Sequence, residues 1–297
     1  MRAVIRSTCL GGACYNLLDM LLGQSGVSFS KPRDRDCLFP IDRRVDRDAI
    51  GWSEELPFIG YDHWNHYEFS FILPNRLPFQ GLVWLRYSSA SPRLIESKSL
   101  KLYLNSFVEI SASRDEVKEM ISQDLSRVVG VSVLLQVLSL EEGAPLYAIA
   151  PRQTGSLLES SEAAFHPFEG FEGEAQPTET SERVYRTQLL RSLCKVTRQP
   201  DWGTAWIRMK GDVHPQEGEL LAYILSYRYQ CHFHEEVAER MMYDLLEKFS
   251  PVELEIRLNY TRRGGLDINP VRLFPRTLMV DEGQWLAVDP WLREIRQ

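Results

Sequence analysis

The chain reads as one module written twice. Gly81-Leu-Val-Trp84-Leu-Arg86 matches Gly203-Thr-Ala-Trp206-Ile-Arg208 at an offset of 122 residues. Asp115-Glu-Val117 with Asp124-Leu125 then matches Glu235-Glu-Val237 with Asp244-Leu245 at 120, and Val131-Ser-Val-Leu-Leu-Gln-Val matches Val252-Glu-Leu-Glu-Ile-Arg-Leu at 121. Each match is short. Three in order at a nearly constant offset mark an internal repeat.

Each copy spells strand, strand, helix, helix, strand, strand. In the first, His66–Leu73 and Gly81–Ser88 are rich in Phe, Trp and Tyr and flank a Pro/Asn turn, as hairpin strands do. Over Glu96–Phe107, Leu100, Tyr103, Leu104 and Phe107 recur at helical spacing. Ser113 and Glu116 form a capping-box pair, predicting a second helix that buries Val117, Met120, Ile121, Leu125 and Val128. Strands over Val131–Leu140 and Leu146–Ala150 complete the copy. The second copy predicts helices over Glu217–Tyr229 and His234–Phe249 and a strand over Val252–Tyr260. The fold class is therefore α+β, each module an antiparallel four-stranded sheet with two helices on one face. The expected division is residues 1–30 before the modules, 31–150, an acidic Ser/Gly/Pro-rich stretch over 151–182 serving as linker or surface wrap, and 183–297. Half-covered sheets with free edges also suggest a larger barrel closed by symmetric association of chains, with a homodimer as the expected assembly.

Composition narrows the function. Apolar residues make up 44% of the chain and exclude disorder, while 34 Lys and Arg against 41 Asp and Glu argue against a nucleic-acid surface. No window is apolar enough for a membrane helix, so no membrane association is expected. Five cysteines, odd in number and with no C-x-x-C pair, fit a reducing compartment. Asn16 and Asp19 break the apolar stretch Cys9–Leu22 that follows Arg2 and Arg6, and no A-x-A site follows it. The expectation is a cytoplasmic protein.

No G-x-G-x-x-G follows a strand and no P-loop occurs. What stands out are polar groups in unusual places. Glu96-Ser-Lys98-Ser-Leu-Lys101 opens a helix, which an ordinary solvated helix start would also explain. Cys194 closes a strand, where a lone cysteine is commonly inert core. His234-Glu235 opens a helix, and capping accounts for the glutamate. Thr261-Arg262-Arg263-Gly264-Gly265 is a turn whose arginines also suit a phosphate. Cys231-His232-Phe-His234 offers zinc ligands, but no second cluster completes a site, and none is expected.

These segments together resemble a known family. Glu96-Ser-Lys-Ser-Leu-Lys-Leu-Tyr103 resembles the signature of the NADPH-dependent 7-cyano-7-deazaguanine reductases, the QueF family of nitrile reductases in queuosine biosynthesis, a tRNA modification pathway. Cys194-x-Val-Thr-x-Gln-Pro-Asp-Trp-Gly203, Phe233-His-Glu235 and Tyr260-Thr-Arg-Arg-Gly-Gly-Leu-Asp-Ile-Asn-Pro270 agree with it. The resemblance runs from about Leu38 to the end, weakest in the 151–182 stretch, and fits the family's bimodular branch, whose fold is the tunnelling fold. It implies reduction of the nitrile to a primary amine by two NADPH. Cys194 would form a thioimide, Asp201 would supply a proton and His234 would assist. Glu235 would anchor the purine-like edge of the substrate, with Ile95, Glu96 and Ser97 at the other edge. Ser97, Lys98, Arg263 and Gly264 would meet NADPH. In the second copy Glu217 aligns with Glu96, and Gly218-Glu219 replaces Ser97-Lys98. A zinc-dependent pterin-type enzyme and a non-catalytic purine-binding protein of the same fold are the alternative readings.

Overall fold

The computed structural model describes residues 31–52, 55–143, 155–160, 168, 170–171 and 180–278. The expectations for residues 1–30 and the strand over Leu146–Ala150 lie outside them. Strand β1 (Pro40–Asp42) and helix α1 (Arg44–Ala49) lead into β2 (Ile59–Ile72), β3 (Pro78–Ser88), β4 (Arg93–Ile95), α2 (Ser97–Asn105), α3 (Arg114–Val129), β5 (Val133–Ser139) and the single turn α4 (Leu140–Gly143). After β6 (Ser156–Leu157) come β7 (Ser181–Cys194), β8 (Pro200–Gly211), α5 (Glu217–Ser226), β9 (Cys231–His232), α6 (His234–Phe249), β10 (Glu253–Tyr260) and β11 (Leu266–Phe274). The α+β class holds. β2 starts seven residues before the expected His66, because Tyr61, Asp62 and His63 already pair with β3 and β11.

The main sheet runs β5-β3-β2-β11-β10-β8-β7-β6, with β9 beside β7. Its register repeats the sequence repeat. β2 bulges between His66 and Phe69, and β7 between Thr187 and Leu190. Beyond each bulge Phe69 faces Gly81 and Leu190 faces Gly203. Gly81 in turn faces Ser139, and Gly203 faces Tyr260. The glycine is required at the first of these, since a Cβ on Gly81 would stand 2.1 Å from the Leu138 carbonyl.

The helices repeat too. Tyr103 donates to Asp124 Oδ2 at 2.8 Å and Tyr223 to Asp244 Oδ2 at 2.5 Å, while the Ser106 and Ser226 hydroxyls donate to the carbonyls of Tyr103 and Tyr223. All these pairs are 120 residues apart, which corrects the alignment of the helix starts. Glu96 and Gln216 are the extended N-cap residues, and Glu217 is already helical. Lys98 therefore corresponds to Gly218 rather than Glu219.

Each copy packs its helices on one face of the sheet over its own core. Trp64, Phe69, Leu100, Leu104 and Ile121 belong to the first, and Tyr185, Ile207, Leu220, Met241 and Ile256 to the second. Trp52 and Phe58 cross over: Trp52 meets Tyr243 edge-on at 5.0 Å, and Phe58 is buried in the second core. Within the stretch read as linker or wrap, β6 pairs with β7 in parallel, and Leu158, Phe168 and Phe171 pack on the second core. No helix among the described residues is long and apolar enough to cross a membrane.

The copies meet where β2 pairs with β11, from Ile59↔Leu273 to His66↔Leu266. Behind that seam lie five buried charges. Arg47 grips Glu239 with Nε to Oε2 and NH2 to Oε1, both 2.8 Å. Arg272 spans Asp62 at 2.8 Å and Glu239 at 2.9 Å. Arg43 pairs with Asp62 and lies 3.2 Å from Glu239. Burial alone would raise the Glu239 carboxyl, but Arg272, Arg47 and Arg43 hold it at about 2. Removing one member of such a cluster strands buried charge. Glu239→Ala is expected to cost about 3–5 kcal/mol, read as a lowered urea midpoint, whereas Glu247→Ala on the exposed face of α6 should change it little.

Candidate active site

The cleft forms where element ends converge. α2 begins at Glu96, whose extended backbone lets its own carboxylate cap the helix: Oε1 accepts from Lys98 N at 3.0 Å and Oε2 from Ser99 N at 2.7 Å. Only 6% exposed, Glu96 is no solvated helix start. Its backbone N donates to Phe39 O, tying α2 to the segment before β1.

Cys194 ends β7. Its N donates to Gln199 O at 2.8 Å and its O accepts from Arg198 N at 2.9 Å, closing the turn into β8. On its other side β9 runs parallel, pairing Cys194 with His232. The half-buried thiol is thus carried by backbone fixed on both sides. Lys195 points away to Asp46 and Glu236.

α6 opens with His234 and Glu235, its start supported by Glu236 accepting from Phe233 N at 3.4 Å. The His234 ring stacks on Tyr260 with centroids 3.6 Å apart and planes at 5°. Its Nε2 lies 3.3 Å from Asp201 Oδ2, while Arg263 reaches Asp201 Oδ1 at 2.8 Å. Glu235 is 3% exposed. Burial pushes its carboxyl up to about 7, Asp62 adding to the effect against Arg43 and His234. Glu236, one residue on, is held at about 2: burial would raise it, but His232, Lys195 and Arg240 prevail.

One cleft of about 50 Å³ collects Ile95, Glu96 and Ser97 from the first copy with Cys194, Asp201, His234, Glu235 and Arg263 from the second. A larger cavity of about 690 Å³, beside Trp52 and Arg276, has none of these in its lining. Lys98 and Gly264 adjoin the cleft without lining it. Gly264 and Gly265 have φ of +62° and +86°, the left-handed region that favours glycine. A Cβ on Gly264 would lie 3.2 Å from Lys101 Nζ, so this bare turn lies against a cation.

Sequence reasoning missed the Tyr260 stack and the cleft walls Trp64, Val196, Thr261 and Ile268. Tyr260 lay inside a quoted motif, but no local pattern reports a ring stacked across 26 residues. The potential zinc ligands diverge, His232 facing Glu236 at 2.8 Å and His234 facing Asp201. Among the described residues no three His, Cys, Asp or Glu side chains gather to hold a metal ion.

An apolar-walled cleft with a thiol, an Asp–His pair and a buried glutamate suits nucleophilic addition to a small nitrogen-rich ligand. Comparison with known proteins places the chain in a family. Residues 29–137 match the family model "Nitrile reductase, 7-cyano-7-deazaguanine-reductase N-term", and residues 200–276 match "QueF-like protein". The NADPH-dependent 7-cyano-7-deazaguanine reductase of Desulfotalea psychrophila is 42% identical over 252 residues, 83% of this chain and 90% of that protein. Those of Xanthomonas campestris pv. campestris (strain B100) and Ralstonia nicotianae are 38% identical, over 87% and 80% of this chain and 93% and 87% of theirs. A solved archaeosine synthase QueF-Like, in the apo form, aligns with 32% of this chain and 93% of its own at 15% identity and a TM-score of 0.29. With relatives this similar over nearly their whole length, and both halves matched in order, the chain belongs to the 7-cyano-7-deazaguanine reductase family.

Proposed function

We propose that the chain reduces the nitrile of 7-cyano-7-deazaguanine to the primary amine with NADPH, in the route to queuosine. One observation carries this reading: the thiol of Cys194, the Asp201–His234 pair and the buried Glu235 line one cleft with Glu96. A nitrile carbon is a modest electrophile, and a cysteine is the most nucleophilic side chain available at neutral pH. Cys194 adds to it; the S–H bond breaks, an S–C bond forms, and the proton passes by Asp201 to the nitrile nitrogen, giving a thioimide. His234, pinned by Tyr260, orients Asp201 and shares the proton.

Glu235 receives the N–H edge of the ring. Two parallel N–H···O bonds suit a carboxylate and satisfy a charge that burial otherwise disfavours. Glu96 and the backbone of Ile95 and Ser97 face the other edge. NADPH, when bound, supplies the hydrides. Its phosphates are to be held by Ser97, Lys98, Arg263 and the bare backbone of Gly264, and the Lys101 ammonium beside that glycine fits an anion. A homodimer working in the cytoplasm, without direct contact to nucleic acid, completes the reading. The acidic balance of the chain, and a sheet that among the described residues ends at β5 and β6, support it.

Mixing the protein with the nitrile alone should add the substrate's mass at Cys194, and Cys194→Ala should abolish the adduct. A modification that survives this change, or falls on Cys231, would end the assignment. Substrate binding should also depend on pH through Glu235. The carboxylate accepts both N–H bonds, so affinity should be constant well above pH 7 and fall up to tenfold per unit as Glu235 protonates below about 7. Titration calorimetry from pH 5.5 to 8.5 tests this, and Glu235→Gln should weaken binding and flatten the profile.

A further inference from the structure

Two demands meet on Arg263. The reading above gives it to the cofactor's phosphates, yet its guanidinium lies 2.8 Å from Asp201 Oδ1. We propose that Arg263 is a two-position residue: it holds Asp201 in the arrangement seen here and leaves for the phosphates of NADPH, so that cofactor binding frees Asp201 for proton transfer to the nitrile. The inference rests on the nitrile-reductase reading and adds to it a coupling between the cofactor and the covalent step.

The first support is geometric. Asp201 must take the thiol proton and pass it to nitrogen. The Arg263 guanidinium occupies Oδ1, one of the two oxygens on which that proton could land. The other oxygen, Oδ2, already faces His234, and Tyr260 lies behind that ring. Among the described residues, Arg263 is the cation whose departure from Asp201 would free that oxygen.

The second support is freedom to move. Arg263 is one of the walls of the cleft. Most walls are fastened: Cys194 by backbone bonds on both sides, Glu96 by the α2 cap, His234 by its stack. The Arg263 side chain is 39% exposed. Its backbone is held, N donating to Leu266 O at 2.8 Å across the Gly264-Gly265 turn, so the chain stays while the guanidinium swings.

The third is a place to go. Lys101 Nζ lies against Gly264, and Arg262 covers the Tyr67 ring at 4.5 Å on the same turn. An anion drawn to these cations would offer Arg263 a partner of higher charge than one carboxylate.

Thioimide formation consumes no electrons from the cofactor: the sulfur's proton ends on nitrogen and one nitrile π bond becomes the S–C and N–H bonds. Oxidised NADP⁺, which cannot deliver hydride, can therefore act as the probe. Single-turnover adduct formation at Cys194, followed by quenched mass spectrometry, is compared with and without NADP⁺ at a concentration that calorimetry shows to be bound. NADP⁺ should accelerate the wild-type step by roughly 10-fold or more, part of the 10²–10⁴-fold that a positioned proton-transfer group contributes. Arg263→Ala should start at the accelerated rate without NADP⁺, and Arg263→Lys should fall between. An adduct forming at one rate with and without bound NADP⁺, or an Arg263→Ala protein slower than wild type, overturns the inference alone. No adduct at Cys194 under any condition overturns the function and the inference with it.

Discussion

Everything at the cleft depends on five charges sealed behind the seam. Arg43, Arg47 and Asp62 come from the first copy, Glu239 and Arg272 from the second. Neither set could be buried alone, because desolvating an unpaired guanidinium or carboxylate costs more than packing returns. Three cations against two anions leave one positive charge, and Glu235, a turn before Glu239 on α6, is the next carboxylate in reach of Arg43. The same cluster that locks α6 against the first copy therefore sets the electrical surroundings of the proposed substrate anchor.

Two glutamates then do different work at two helix starts. Glu96 spends both carboxylate oxygens on the N–H groups of Lys98 and Ser99, so it is structurally satisfied before any ligand arrives. Glu235 sits just inside the helix and faces Asp62 from within a dry wall, which raises its carboxyl instead. One residue type gives a fixed capping group at the start of α2 and, just inside α6, a carboxyl raised by burial. Packing and neighbouring charge make the difference.

The copies kept their scaffold and parted in chemistry. The Tyr–Asp and Ser–Tyr bonds recur, as do both bulges and their glycines. By strand register Cys194 answers to Leu73 and Asp201 to Phe79, while His234-Glu235 answers to Arg114-Asp115 at the start of the corresponding helix. The first copy has apolar residues where the second has the proposed nucleophile and acid. It contributes instead the capped start of α2, which the second copy has lost through Gln216 and Gly218. One complete cleft needs a part from each.

Much of this was legible in the residues. A repeat at 120–122 residues, apolar spacing of 2 and 3.6, and the Ser113–Glu116 pair are local signals, and local signals specify helices, strands and their order. The motif resemblance named the cleft residues, because chemistry depends on residue types that stay recognisable in any order along a chain. The sequence could not say that Trp52 and Phe58 cross into the second core, that Arg272 closes on an aspartate 210 residues away, or that Arg263 rests on Asp201. Those contacts depend on where β11 docks against β2. Docking is decided by the sum of many buried contacts and by the cost of leaving charge unpaired, and neither quantity is written in any short stretch of the chain.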